Sequence, residues 1–266
     1  MSLIDIWAQI CQETINQEPS MYIQIRKMFS NQSFDIDWED FQLGDLPSFP
    51  QLGYKNDVSK MKQLERNYFN EEELIRIRET FLERYHSSGN KSLQTCVTAR
   101  MGNKKKDSRS QGFCMQSITI NHMKINKEDE IVIELHYRST EITQKFLADL
   151  IFLRNKVIPF IMEGWPEGLT PTDIKFNFST AYFSLMFLPV VFQFTDPVEL
   201  LKDLKKHDPG YYKSVISAVS RLMTKECTYN YRTRANMHEL FWEYVHPFLK
   251  KKQIAAINRL IKESGR

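Results

Sequence analysis

The side chains best suited to chemistry fall in three short stretches in the middle of the chain. Cys114 opens GFCMQSITIN, Arg138 and Ser139 lie in HYRSTEITQKFLADL with Glu141 two places further on, and Asp149 stands eight beyond Glu141. A thiol becomes a strong nucleophile as its thiolate, which nearby arginines favour. A guanidinium offers a two-pronged donor to an anion, and a carboxylate is an acceptor. Each residue also has a plainer reading. Cys114 on a β-branched strand is, taken alone, a small buried hydrophobe. Arg138-Ser139 at a strand-to-helix junction fits a helix cap with a solvated neighbour. Asp149, between Ala148 and Leu150, fits a residue that points to solvent or pairs with Lys145 four places back. The joint spacing is what favours chemistry over these alternatives.

Other chemistries find less support. His238 and His246 share an expected helix but sit eight apart, and there is no HExxH or CxxC pair. His122 and His136 fall on neighbouring expected strands with no carboxylate or thiol spacing to complete a metal site, so all the histidines read as separate surface or edge residues. GxxxxGK[ST] and GxGxxG are both missing, which removes the standard phosphate loops.

The elements that must position these residues follow from periodicity. Ile4 to Asn16 is expected as a short amphipathic helix, and residues 30 to 57, turn-rich and acidic, as an irregular surface excursion. Met61, Leu64, Tyr68, Leu74, Ile77, Phe81 and Leu82 indicate one or two helices over Val58 to Tyr85, with Asn70 as a cap. The period then changes to that of strands over Ser92 to Met101, Gly112 to Met123 and Glu130 to Tyr137, the last two joined by a turn at Asn126 to Asp129. A helix is expected from Thr140 to Met162, and a strand over Asp173 to Phe178. Asp196-Pro197 and Asp208-Pro209 each open a helix, since proline is tolerated in the first turn, and Ala235 to Arg266 supplies one or two more. This gives an α+β fold with a central mixed β-sheet. The expected organisation is a mainly helical N-terminal segment (1 to 90), an α+β core (91 to 195) and a basic helical C-terminal segment (196 to 266) packed on the core.

The block from Lys91 to about residue 190 resembles the catalytic half of the thymidylate synthase and pyrimidine hydroxymethylase family. In that family a cysteine opens a strand, and the next strand ends in an Arg-Ser pair. An acidic residue follows two places later, and an Asn or Asp lies eight beyond it on a helix. Cys114, Arg138-Ser139, Glu141 and Asp149 repeat this order, with only a slightly lengthened hairpin turn between Cys114 and Arg138.

The resemblance implies transfer of a one-carbon unit to C5 of a pyrimidine nucleoside monophosphate. Cys114 would add to C6 and make C5 carbanion-like. Arg138 and Ser139 would hold the phosphate, with Glu141, Tyr182 and Arg109 also lining the substrate. Asp149 would read the base. A carboxylate there complements the amino donor and protonated N3 of cytosine, so the sequence leans towards a cytosine nucleotide. The resemblance further implies methylenetetrahydrofolate as donor and a homodimer in which two sheets stack face to face.

This sequence departs from the family in several places. The strand-end arginine pair that reaches the phosphate across the dimer has no clean counterpart; Lys91-Ser92 stands near its place, and Arg100 and Arg109 offer only a different geometry. Phe113-Cys114-Met115 replaces a Pro-Cys-His run, Tyr182 and Ser184 stand where His and Tyr contact the sugar, and the N-terminal Glu and Trp that position folate are missing. A second reading follows: a degenerate, non-catalytic member of the fold that binds nucleic acid or a partner protein in a sensing, assembly or antiviral defence role.

Charge points to where such a partner would bind. The 266 residues carry 36 Lys+Arg against 33 Asp+Glu, a net charge of +3. Residues 201 to 266 alone hold 14 basic and 6 acidic residues, or +8, which leaves −5 for the remainder. The loop Asn103 to Arg109 is also basic, and Tyr211, Tyr212, Tyr229 and Tyr231 add rings able to stack on bases. The plainer reading is a solvated helical surface packed through Phe241, Trp242, Val245 and Phe248. With 42% hydrophobic residues the chain has enough apolar surface to fold. Four cysteines at 11, 96, 114 and 227 give no disulfide framework. The N-terminus has no basic start or long apolar run, and Phe178 to Phe194 is too interrupted to span a membrane. A soluble cytoplasmic protein is expected.

Overall fold

In a computed structural model of the protein, the described residues are 21–23, 26–42, 58–87, 94–102, 114–125, 128–142, 145–184, 188–224 and 237–265. Within them the chain runs β1 (Met21–Ile23), β2 (Arg26–Asp37), α1 (Trp38–Gln42), α2 (Val58–Tyr68), α3 (Glu71–Ser87), β3 (Gln94–Arg100), β4 (Met115–Ile125), β5 (Glu128–Tyr137), β6 (Thr140–Glu141) and α4 (Lys145–Phe152). A π-turn at Leu153–Val157 leads into α5 (Ile158–Met162). Then come β7 (Asp173–Ser184), α6 (Leu188–Phe194), α7 (Pro197–His207), α8 (Pro209–Met223), α9 (Met237–Tyr244), a 3-10 turn (His246–Phe248) and α10 (Lys251–Glu263).

The fold is α+β, built on one mixed sheet of order β1-β2-β7-β5-β4-β3, with β6 also paired to β7. The β5–β7 and β6–β7 pairs are parallel, and the others are antiparallel. Alternation along each strand separates two faces. Val97 and Ala99 of β3, Ile118 and Ile120 of β4, Ile131, Ile133, Leu135 and Tyr137 of β5, and Ile174, Phe176 and Phe178 of β7 are all buried. Their registers align: Ile118 faces Leu135 across β4–β5, and Leu135 faces Phe176 across β5–β7. The other face carries Ser117, Asn121, Glu134, His136, Lys175 and Asn177, all half-buried.

Helices cover the apolar face. Phe146 of α4 meets Tyr137, Phe176 and Phe178 edge-on at centroid distances of 6.0, 5.2 and 5.0 Å. Contacts of this geometry contribute about 0.5–1.5 kcal/mol each beyond the area they bury. α3 packs on β3 and α5, and α2 packs on α4. The C-terminal helices pack chiefly on one another. Asp196 caps α7 by accepting from the amides of Val198 and Glu199, and its other oxygen accepts from Gln253 of α10 at 2.9 Å. No described helix is long and apolar enough to cross a membrane.

Several expectations change. Residues 30–37, expected to be irregular, belong to β2, which pairs with β7 from Arg26↔Ser184 to Asp37↔Asp173. The alternation of exposed Asp35 and Asp37 around buried Ile36 carries that strand, and the surrounding turn-formers hid it. The helix expected from Thr140 begins only at Lys145, because Thr140 and Glu141 are drawn into parallel pairing with Ala181 and Tyr182. It also loosens to a π-turn, where the Ile158 amide bonds to the Leu153 carbonyl five residues back, just before Pro159, which has no amide to donate. The strand from Asp173 continues to Ser184. Asn70 precedes α3 as expected, but its side-chain amide donates to the Gly102 carbonyl at 3.3 Å and ties the helix start to the end of β3. Ile4–Asn16, the turn residues Asn126 and Lys127, and the loop Asn103–Arg109 lie outside the described residues.

At the sheet edge where β2 and β7 run together, Asp173 is partly buried beside Asp37, Asp35 and Glu130. Desolvation first, and these like charges after it, raise its pKa above the ordinary 3.8. A raised carboxylate pKa means the ionised group weakens the fold at neutral pH and that protonation relieves it. Asp173→Asn should therefore raise Tm at pH 7, with the gain disappearing as pH falls below about 3.8. An equal gain at both pH values, measured by calorimetry, would show that charge is not its cause.

Candidate functional site

Cys114 and Ser139 come together through strand pairing. The β4–β5 ladder ends in a register shift between Met115 and Ser117. Beyond it the Arg138 amide donates to the Cys114 carbonyl at 2.8 Å. That bond sets the first residue before β4 against the first residue after β5, and it leaves Cys114 Sγ 3.9 Å from Ser139 Oγ. The thiol is half-buried. Bulges and register shifts of this kind re-aim side chains at strand ends. The Arg138 side chain is exposed and has no ion-pair partner among the described residues.

Asp149 approaches from the helix layer. It lies on α4, which Phe146 anchors to the sheet, and it is 7% exposed. It therefore does not point to solvent, while Lys145 four residues earlier is exposed. Two phenols lie within electrostatic reach of both Asp149 and the thiol. Tyr68, the last residue of α2, receives backbone hydrogen bonds from Cys114 and Met115. Burial, and after it the charges of Asp149 and Cys114, nevertheless push its pKa well up. Tyr137 is 1% exposed, and its hydroxyl has no hydrogen-bond partner. Burial first, then the charges of Asp149, Tyr68 and Cys114, push its pKa up as well. Both phenols thus remain protonated beside a buried carboxylate and a half-buried thiol. Neither stood out in the sequence, where Tyr68 reads as one apolar position of a helix and Tyr137 as one end of a strand.

The remaining expected residues divide. Glu141 is 2% exposed, and its carboxylate accepts from the Lys145 amide at 3.3 Å, so it helps to start α4. Tyr182 is its neighbour across β6–β7, and the Tyr182 carbonyl accepts from the Ile142 amide at 3.0 Å. Arg100 ends β3 opposite Ser117, exposed. Arg109 lies outside the described residues, as do Lys91 and Ser92.

A second polar cluster occupies the far end of β4. His122 is 1% exposed, and its Nε2 lies 2.8 Å from Asp129, which Tyr85 also reaches at 3.4 Å. His122 is therefore a core residue rather than the surface or edge residue expected, because it takes its place in the buried row of β4 after Ile118 and Ile120. No group of three or more metal-ligating side chains occurs among the described residues.

No family model matches the chain, and no curated protein matches it. Among solved structures, the chain is similar to thermostable thymidylate synthase A from Bacillus subtilis, with a TM-score of 0.43 and 9% identity over 71% of this chain and 82% of that one. It is also similar to thymidylate synthase from T4 phage, with a TM-score of 0.40 and 8% identity over 67% of this chain and 76% of that one.

The raised phenol pKa of Tyr68 makes a stability prediction. The group ionises in the unfolded chain near 10.0 and only at higher pH in the fold, so its contribution is whole below pH 10 and is lost as pH rises above it. Tyr68→Phe should cost about 1 kcal/mol at pH 7, for the lost backbone hydrogen bonds. That difference should narrow in denaturant melts above pH 10, and a constant difference across the range would contradict the assignment.

Proposed function

We propose that the protein binds a pyrimidine nucleoside monophosphate over the Cys114–Asp149 site and that Cys114 attacks the base. The observation that carries this reading is the approach of Cys114 Sγ to Ser139 Oγ, at 3.9 Å, beside a buried carboxylate and two protonated phenols. Addition of the thiolate to C6 moves the C5–C6 π electrons to C5, which can then bond to an electrophilic carbon. Loss of the C5 proton, cleavage of the bond from the transferred carbon to its carrier with water adding in the carrier's place, and expulsion of the thiolate would restore the ring as a 5-hydroxymethyl pyrimidine and regenerate the cysteine. Ser139 and the exposed fork of Arg138 would hold the phosphate, with Arg109, Glu141 and Tyr182 as further substrate contacts. Asp149 would accept from the exocyclic amine of cytosine, while the Tyr68 phenol would donate to a neighbouring acceptor.

Methylenetetrahydrofolate is the donor that the sequence resemblance implies. Apart from Cys114, the groups identified at the site are Ser139, Tyr68, Tyr137 and Asp149, a set that suits a small polar ring and provides no platform for a pterin. The buried indole nitrogen of Trp165 has no partner, but that ring packs at a tilt against Phe81 beside His122, at the opposite end of β4. No residue is assigned to the donor, and the proposal concerns the nucleotide half of the reaction. Pairing of two copies through the half-buried polar face of the sheet belongs to the same reading.

Incubation with dCMP or dUMP and methylenetetrahydrofolate tests it. Turnover should favour dCMP and disappear in Cys114→Ala, and Asp149→Asn should shift the preference towards dUMP. Turnover that survives Cys114→Ala would remove the mechanism. Sedimentation of the same preparation should give twice 31.6 kDa, and a monomer would remove the dimer.

A further inference from the structure

Among the described residues, two large hydrophobic side chains are exposed, Met123 at 38% and Phe248 at 78%. Phe248 does not owe its exposure to a frayed end. It closes a 3-10 turn in which its amide donates to the Val245 carbonyl at 3.0 Å and the Leu249 amide donates to the His246 carbonyl at 3.2 Å. Beneath that turn the His246 ring lies on Trp242 at a centroid distance of 4.1 Å. The Trp242 indole N–H donates to the Leu222 carbonyl at 3.0 Å and fixes the platform to α8. An ordered base thus holds an aromatic ring in solvent, at a cost in hydration that packing does not recover.

The chain then enters α10 through Lys250, Lys251 and Lys252, all exposed. Lys251, Lys252, Arg259 and Lys262 fall within about 100° of the helix circumference, over a length of about 16 Å. They face outward, while Ile257 and Leu260 are buried on the other side. The acid at the end of this face, Glu263, is taken up by Lys205 at 2.7 Å and Arg259 at 3.8 Å. Lysines at the start of a helix with no acid in its first turn oppose the helix dipole, so helix stability does not account for them. The outward residues Lys251, Lys252, Ala255, Asn258, Arg259 and Lys262 include no large apolar side chain. That leaves no area for insertion into a bilayer. A lone exposed ring followed by a row of cations is instead the combination that stacks a base and tracks a phosphate backbone.

We propose that Phe248 and the outward basic face of α10 form a binding surface for single-stranded nucleic acid. One base stacks on Phe248, and the phosphates that follow lie along Lys251, Lys252, Arg259 and Lys262. This surface is independent of the nucleotide site, and its failure or success is separable from that reading because Cys114→Ala leaves it intact.

Fluorescence anisotropy with a labelled single-stranded oligodeoxynucleotide of mixed sequence tests the proposal on the full chain. Binding should weaken as salt rises, with a log–log slope of about −2 to −3, for three or four contacted phosphates. Phe248→Ala should weaken it about tenfold, and the joint change of Lys251, Lys252, Arg259 and Lys262 to Gln should abolish it. These positions are exposed, so circular dichroism should show unchanged folding. Absence of binding at low salt, or binding indifferent to both variants, would overturn the proposal. Equal or tighter binding to phosphatidylserine vesicles or to duplex DNA would overturn it too.

Discussion

The candidate site depends on a single backbone hydrogen bond, from the Arg138 amide to the Cys114 carbonyl at 2.8 Å. Residues 24 apart in the chain meet because β4 and β5 form an antiparallel pair that ends there. The register shift between Met115 and Ser117 turns the end of β4, so that the thiol and the Ser139 hydroxyl face one another rather than opposite sides of the sheet. A one-residue slip of this ladder would send Tyr137 from the buried face to the half-exposed one and separate every group of the site. The neighbouring parallel pair keeps the ladder in register, since Leu135 and Tyr137 of β5 align with Phe176 and Phe178 of β7.

The same aromatic packing places the acidic group. Tyr137, Phe176 and Phe178 form the bed on which Phe146 sits, and Phe146 fixes the helix that carries Asp149 three residues later. The price of that arrangement is a buried phenol without a partner at Tyr137 and a carboxylate that is 7% exposed. An unpartnered hydroxyl and a buried charge weaken a fold, and both lie near Cys114, which is half-buried. His122 is as buried as Tyr137; its Nε2 meets Asp129 across the β4–β5 turn, while its Nδ1 has no partner.

Much of the frame was legible in the sequence. β3, β4 and β5 follow from alternation in QTCVTAR, MQSITINHMKI and EDEIVIELHY, and the proline-led helices α7 and α8 begin where Asp196 and Asp208 cap them. Cys114, Arg138, Ser139 and Asp149 could be singled out because they lie in order along one stretch of chain. Tyr68 could not, since it joins the site from a helix that precedes β3 and only the tertiary packing of α2 on α4 delivers it. Tyr137 was hidden for a different reason: a tyrosine on the buried face of a strand is ordinary, and only the missing partner of its hydroxyl makes it unusual. β2 was missed because Asn, Ser and Asp favour turns locally, whereas its long ladder with β7 is a non-local gain that no short window of sequence records. Phe248 was read as a packing residue from its apolar type, and its exposure follows from the turn that Pro247 helps to set.

The central claim, that a pyrimidine nucleotide sits against Cys114, is tested most directly by protection from alkylation. Two cysteines are available for comparison in one experiment, since Cys96 is exposed and Cys114 is half-buried. Iodoacetamide modification followed by peptide mass spectrometry should show dCMP slowing the reaction at Cys114 while leaving Cys96 unchanged. Saturating dCMP or dUMP that leaves both rates as they were would contradict the account.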